Sequence, residues 1–185
     1  MRRRDLIAGL GSLGVLATGG VVATTDVSSL QSRIRRRFGD EAEQLEVETV
    51  DAQGSEAGTI ALPSLEQPTF IDFFGTWCAP CIKQMPALIE AHERLGDEVL
   101  FVSVTNENVG SSTGAAITEA ELADWWAEHD GNWTVGLDRT VELAERYGLQ
   151  GYPYAVAVDE YGFVQWSEGG IKSADELIAG IERAI

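Results

Sequence analysis

One short segment constrains the fold of this chain more than any other: an apolar run that leads directly into a helix carrying two cysteines. Residues 69–74 are apolar apart from Asp72, which is typical of a strand covered on both faces. Residues 79–95 follow a helical pattern, and Cys78 and Cys81 lie at the junction. Strands covered on both faces belong to layered proteins, so the segment predicts an α/β fold.

The rest of the chain alternates in the same way. Beyond the first helix, the pattern predicts strands at residues 99–104 and 133–137 and helices at 118–130, 140–147 and 173–185. Two of these helices begin with a capping box, Thr118 with Glu121 and Ser173 with Glu176. The chain has 185 residues, which is enough for one domain with a sizeable core.

Antiparallel strands are expected at both ends of the domain. Residues 45–50 and 58–62 predict an N-terminal hairpin, and residues 154–158 and 163–167 predict a late one. The fold class is therefore a central mixed β-sheet flanked by helices, with a segment inserted between Val104 and Trp133. The loop at residues 107–116 is rich in Ser, Gly and Thr, and it shows no evident chemistry.

The charge of the chain excludes some function classes. The net charge is −17, and from Phe38 onward six basic and twenty-eight acidic residues give −22. Phosphate binding needs a basic face, so a nucleic-acid partner is excluded. Such a surface stays hydrated in concentrated salt, where screening removes most self-repulsion, and we hypothesise a halophilic source. The alternatives are an acidic mesophilic protein and a surface that steers basic partners.

The N-terminus predicts export. Residues 1–23 combine an arginine cluster with an uncharged Gly-, Ala-, Val- and Leu-rich stretch, the pattern of a twin-arginine-type signal or anchor. Residues 24–44 are predicted to be a basic linker or amphipathic helix: a solvated linker or a helix docked on the acidic domain is favoured, and a helix that contacts a membrane is the alternative. The folded domain is predicted at residues 45–185. The protein is then secreted or anchored at the outer face of the cytoplasmic membrane.

The cysteine pair carries the chemistry. At a helix N-terminus, free backbone N–H groups and the helix dipole stabilise a thiolate, which makes Cys78 a candidate nucleophile. Cys81 lies one turn further on, close enough to attack a mixed disulfide on Cys78. Pro80 suits the first turn, where its missing N–H costs nothing.

Two other uses of the pair stay open. A structural disulfide is one, although so short a loop removes little unfolded-state entropy. A metal pair, including a copper-handling one, is the other, although His92 and His129 match no zinc spacing. Both histidines are predicted to be surface residues of acidic helices, and no metal site is assigned.

The motifs resemble those of a known superfamily. Residues 71–81, Ile-Asp-Phe-Phe-Gly-Thr-Trp-Cys-Ala-Pro-Cys, with Met85-Pro86 beyond, look like the active-site strand and helix of the thioredoxin superfamily. Residues 147–153, Tyr-Gly-Leu-Gln-Gly-Tyr-Pro, and the following strand are similar to its extracytoplasmic TlpA/ResA-like branch. The likeness covers about residues 45–185 and implies a thioredoxin-like fold.

The resemblance also implies roles for individual residues. Cys78 becomes the attacking cysteine and Cys81 the resolving one, while Asp72 takes the position of the buried acid that accepts the proton of the resolving cysteine. Burial should raise the pKa of Asp72 toward the range useful for a base. A purely structural acid remains the alternative for Asp72.

Three further residues are implied to face the substrate. Pro153 matches the cis-proline beside the disulfide, the Tyr152 backbone would pair with a substrate strand, and Trp77 would shield the cysteine pair. The linking Ala79-Pro80 lacks the histidine of strong oxidants, so a reducing potential is expected, nearer thioredoxin at about −270 mV than DsbA at about −120 mV.

The function expected from these residues is that of an exported thiol-disulfide oxidoreductase that needs no cofactor. Its expected partners are disulfide-containing exported proteins, apocytochromes among them, and an electron donor such as a membrane thiol transporter. A disulfide-forming oxidant and a redox-inert or copper-handling binding module are the alternatives. A peroxidase of the related peroxiredoxin type is disfavoured, because neither cysteine lies in that peroxidatic context.

Overall fold

The structure, a computed structural model, describes residues 43–110, 114 and 116–185. The signal predicted at residues 1–23 lies outside the described residues, as does the linker predicted at 24–44 except for its last two residues. Among the residues that are described, no helix combines the length and the apolar character needed to span a bilayer.

The described residues form strands and helices in the alternating order that the sequence predicts. The strands are β1 (Leu45–Thr49), β2 (Gly58–Leu62), β3 (Thr69–Phe73), β4 (Leu100–Thr105), β5 (Thr134–Leu137), β6 (Tyr154–Val158) and β7 (Val164–Gly169). The helices are α1 (Ala79–Leu95), α2 (Glu119–Glu128), α3 (Glu142–Arg146) and α4 (Ala174–Ile181).

The strands form one mixed seven-stranded sheet in the order β2-β1-β5-β4-β3-β6-β7. β3, β4 and β5 run parallel to one another, and β1 and β6 join this core antiparallel. The predicted hairpins, β1–β2 and β6–β7, form the two sides of the sheet. The predicted fold class, including the hairpin and the segment inserted after β4, is therefore confirmed.

Alternation along β3 decides which side chains face the cysteines. Phe70 and Phe74 pack in one buried cluster with both cysteines and helices α1, α2 and α4. Ile71 and Phe73 pack in a second cluster, with α3, on the opposite face. Successive side chains of a strand point to opposite faces, so Asp72 projects toward the cysteine side.

The helix ends confirm some predictions and correct others. Both predicted capping boxes are present, at Thr118 with Glu121 and at Ser173 with Glu176. The helix predicted at 140–147 begins only at Glu142, because Val141 adopts a left-handed conformation with φ of 58°. The carboxylate of Asp138 accepts the backbone N–H groups of Leu143 and Ala144, so the cap comes from a residue four positions before the helix.

Candidate active site

The cysteine pair lies where β3 passes into α1. Cys78 is the N-cap residue of α1, and its Sγ accepts the backbone N–H of Cys81 at 3.1 Å. The two cysteines form a disulfide with their Cα atoms 5.3 Å apart, and both are almost fully buried. An N–H donor aimed at Cys78 Sγ at a helix N-terminus is a setting that stabilises a thiolate once the bond is reduced.

An aromatic pair stands beside the disulfide. The Trp77 side chain is 68% exposed, and its ring meets that of Tyr152 edge to face with centroids 5.6 Å apart. The peptide bond between Tyr152 and Pro153 is cis, and the Tyr152 hydroxyl donates to Asn106 Oδ1 at 2.5 Å. Burial raises the pKa of Tyr152 above its usual value, so its hydroxyl keeps its proton at neutral pH.

Asp72 is the buried acid on the cysteine side of the sheet. Its side chain lies in the protein interior, where burial raises its pKa from 3.8 to about 7. A hydrogen bond donated by Ser103 Oγ at 3.4 Å opposes this rise because it favours the charged form. Asp72 can therefore hold or release a proton near neutral pH.

The first residue of the inserted loop, Glu107, has a structural contact with the active-site loop that the sequence did not indicate. Glu107 accepts the backbone N–H of Thr76 at 2.7 Å with Oε2 and the Thr76 hydroxyl at 2.9 Å with Oε1. Thr76 lies two residues before Cys78, so Glu107 anchors the active-site loop. The contact between Glu107 and Thr76 could not be predicted from the sequence, because these residues are 31 positions apart and are brought together only by the pairing of β3 with β4.

Both histidines are partly exposed residues at the ends of helices, and each ring packs against aromatic side chains. The half-buried His92 ring packs against Phe101 and Trp133, with centroids 5.2 and 5.1 Å away, and burial lowers its pKa. The His129 ring stacks on Trp125 at 4.3 Å. Within the described part of the chain, no cluster of three or more His, Cys, Asp or Glu side chains could hold a metal ion.

A mixed sheet with a Cys-Ala-Pro-Cys disulfide at a helix N-terminus and a cis-proline defines a thioredoxin-fold protein with a redox-capable cysteine pair. The model of the AhpC/TSA family matches residues 38–167, and the chain belongs to that family. The expected thioredoxin-superfamily membership is therefore confirmed.

Curated relatives match over part of their length. The thiol-disulfide oxidoreductase ResA of Bacillus thuringiensis subsp. konkukian is 24% identical over 58% of this chain and 58% of its own. The chloroplastic thioredoxin Y of Oryza sativa subsp. japonica is 40% identical over 27% of this chain and 30% of its own. The chain thus spans less than two thirds of the length of these relatives.

Solved structures match over nearly their whole length. StoA from Bacillus subtilis covers 75% of this chain and 96% of its own with a TM-score of 0.60 and 22% identity. The exposed lipoprotein thioredoxin Etrx1 from Streptococcus pneumoniae covers 75% and 98% with a TM-score of 0.60 and 23% identity. At this identity the likeness establishes the fold.

Proposed function

We propose that this protein is an exported thiol-disulfide oxidoreductase that reduces disulfides of other extracytoplasmic proteins. The observation that carries the proposal is the Cys78–Cys81 disulfide at the N-terminus of α1, with the Cys81 N–H directed at Cys78 Sγ. The name of the ResA relative points to the same chemistry.

The proposed reaction begins with the reduced pair. The Cys78 thiolate attacks one sulfur of the client disulfide, forms a mixed disulfide and releases the other client sulfur as a thiolate. Asp72 in its charged form takes the proton from the Cys81 thiol, and the Cys81 thiolate then attacks Cys78 Sγ. This attack breaks the mixed disulfide and releases the second client sulfur as a thiolate. The proton held by Asp72 and one from water convert the two client thiolates to a dithiol, Cys78–Cys81 becomes the disulfide, and two electrons pass to the client.

Three residues are proposed to receive the client. Trp77 offers an exposed ring beside Cys78, and the Tyr152 backbone before the cis Pro153 pairs with an extended client segment. The hydrogen bond to Asn106 and the contact with Trp77 hold the Tyr152 side chain in place. Its bulk then narrows the set of client residues that fit.

The partners and the location complete the proposal. Clients are disulfide-containing exported proteins, with apocytochromes as one class, and the electrons come from a donor such as a membrane thiol transporter. The twin-arginine-type segment exports the protein, which is secreted or stays at the outer face of the membrane. The mass of the exported protein tests this, because cleavage after the signal removes about the first 23 residues.

The redox equilibrium of the pair against glutathione, measured in molar salt, tests the enzymatic proposal. A reversible two-electron couple near the thioredoxin value of about −270 mV is expected, and Cys78→Ser and Cys81→Ser each abolish it. A potential near the DsbA value of about −120 mV would make the protein an oxidant. Absence of any reversible couple would leave a structural or metal-binding pair, and peroxide consumption by the reduced protein would indicate a peroxidase.

A further inference from the structure

Ser103 of β4 and Trp133, which directly precedes β5, form a hydrogen-bonded chain that ends on Asp72. Ser103 lies directly opposite Asp72 in the parallel β3–β4 pairing, and its Oγ is 3.4 Å from Asp72 Oδ2. The indole Nε1 of Trp133 donates to the same Oγ at 2.9 Å. All three side chains are buried, so these bonds form away from bulk water.

The hydrogen-bonding groups of Trp133, Ser103 and the charged Asp72 determine which atom donates in each of these bonds. An indole N–H can only donate, and a serine hydroxyl has one hydrogen and two lone pairs. The Trp133 N–H occupies one lone pair of Ser103 Oγ, and a charged Asp72 carboxylate can only accept, so in that state the single hydroxyl hydrogen is donated to Asp72. This hydrogen bond stabilises the charged carboxylate of Asp72 more than its neutral carboxylic acid.

The Trp133 ring is itself held firmly. It meets Phe101 and Trp126 edge to face at 5.2 and 5.0 Å, and His92 of α1 at 5.1 Å. A clamped indole keeps its N–H directed at Ser103 without further loss of side-chain entropy.

We propose that Ser103 and Trp133 are positioning residues for Asp72: the Trp133 N–H orients the Ser103 hydroxyl, and that hydroxyl donates to the Asp72 carboxylate and favours its charged, proton-accepting form. This inference rests on the proposed function, in which Asp72 takes the proton of Cys81. Without the pair, burial alone would keep Asp72 protonated to higher pH, and the resolving step would lose its base under neutral conditions.

Other charges do not account for the state of Asp72. Among the described residues, no charged side chain forms an ion pair or hydrogen bond with it. From α1, the groups on this side are Cys78 and Cys81, joined as a disulfide, and His92, whose lowered pKa keeps it neutral where Asp72 titrates. On β6, the residue opposite Asp72 is the uncharged Ala155, and beyond β4 Glu107 is bonded to Thr76.

The test is the titration of the Asp72 carboxyl carbon by NMR in the full-length oxidised protein, with the signal assigned by its loss in Asp72→Asn. Ser103→Ala should raise the midpoint by about one pH unit, the equivalent of one weak charge-assisted hydrogen bond. Trp133→Phe, which removes the N–H and leaves a smaller aromatic ring, should raise it by less. A midpoint in Ser103→Ala within about 0.2 units of the parent would overturn the proposal, since so small a shift is far less than one hydrogen bond.

A matched pair keeps the test valid if Ser103→Ala does not fold. Ser103→Thr retains the hydroxyl, whereas Ser103→Val replaces it with a methyl group of similar size. The Val variant should titrate at higher pH than the Thr variant, and equal midpoints would contradict the inference. Near-ultraviolet circular dichroism should show the same folded signal for both.

Activity gives the second measurement. The reduced protein is assayed with a peptide that contains one intrachain disulfide. The acidic limb of the pH–rate profile should shift to higher pH in Ser103→Ala and return to the parent position in Ser103→Thr. A limb unmoved in Ser103→Ala would contradict the proposal. If the parent protein shows no reductase activity at all, the proposed function is refuted. The NMR titration needs no client, so it still tests the positioning of Asp72 by itself.

Discussion

Glu107 holds Thr76 with both of its carboxylate oxygens, and so ties the inserted loop to the residue two positions ahead of Cys78. The Thr105 hydroxyl also donates to Glu107, at 3.3 Å. The carboxylate thus serves three donors from β4 and the active-site loop. This side chain therefore helps to hold the segment that presents Trp77 and Cys78, together with the backbone hydrogen bonds from Phe74 to Val104 and from Cys78 to Gly75.

Glu107→Gln should loosen this segment, because an amide has one acceptor oxygen and directs an N–H group at the second donor. We expect a loss of about 1 kcal/mol in the free energy of unfolding and slower disulfide reduction. Denaturant unfolding and the rate of client reduction measure the two effects. Glu98→Gln, at an exposed position, is the control and should change stability by less than about 0.5 kcal/mol. Equal effects of the two substitutions would rule out an anchoring role for Glu107.

Cys81→Ser should trap clients. If Cys78 attacks and Cys81 resolves, this variant stops at the mixed disulfide, whereas Cys78→Ser forms none. Non-reducing electrophoresis of the exported fraction should show reducible complexes with Cys81→Ser alone. Complexes formed mainly by Cys78→Ser would reverse the assignment of the two cysteines.

Asp72→Asn should change stability in a pH-dependent way. The folded pKa of Asp72 is about 7 against 3.8 for the free side chain, so the folded state binds the proton more tightly. The loss of folding stability caused by burying the ionised Asp72 carboxylate is absent below pH 3.8. It grows as the pH rises from 3.8 to about 7, and it is complete above about pH 7. At 1.36 kcal/mol per unit, the variant should gain up to about 4 kcal/mol above pH 7 and nothing near pH 4.

Urea unfolding of the oxidised protein near pH 4 and above pH 7 measures the gain in the free energy of unfolding at each pH. Asp51→Asn, at an exposed site, is the control. A gain that is the same at both pH values would show that Asp72 does not titrate in this window.

Salt should stabilise the fold. The chain from Phe38 onward has a net charge of −22, and self-repulsion falls as the Debye length shrinks from about 10 Å at 0.1 M to about 3 Å at 1 M. We expect the melting temperature to rise between these concentrations of KCl. A protein that melts no lower in dilute buffer would contradict the halophilic hypothesis.

Gly180→Ala tests whether packing or helix propensity decides at a helical glycine. A Cβ at this position of α4 would lie 2.5 Å from Cδ2 of the Trp166 ring, which is buried. Alanine gains about 1 kcal/mol of helix propensity, whereas overpacking costs about 1–3 kcal/mol, so we expect net destabilisation. Gly151→Ala, where a Cβ meets nothing within 4 Å, is the control for thermal unfolding. Stabilisation by Gly180→Ala would show that the Trp166 ring moves aside at little cost.

Local patterns predicted most of the fold. The apolar run of β3, the capping boxes at Thr118 and Ser173, and the alternation of strands and helices each depend on neighbours in the sequence. Prediction failed at the start of α3, because the helical pattern of residues 140–147 shows neither the left-handed conformation of Val141 nor a cap supplied by Asp138, four residues before the helix.

The sequence by itself determined the α/β class, the placement of Cys78 and Cys81 at the start of a helix, and the acidic surface, because these follow from periodicity, spacing and composition. Only the tertiary structure decided which residues serve the site from a distance. Glu107 reaches Thr76, and Ser103 reaches Asp72, through the pairing of β3 with β4, while Ser103 meets Trp133 through the pairing of β4 with β5. Such contacts join residues about 30 positions apart, and the sheet register that creates them is a property of the whole fold.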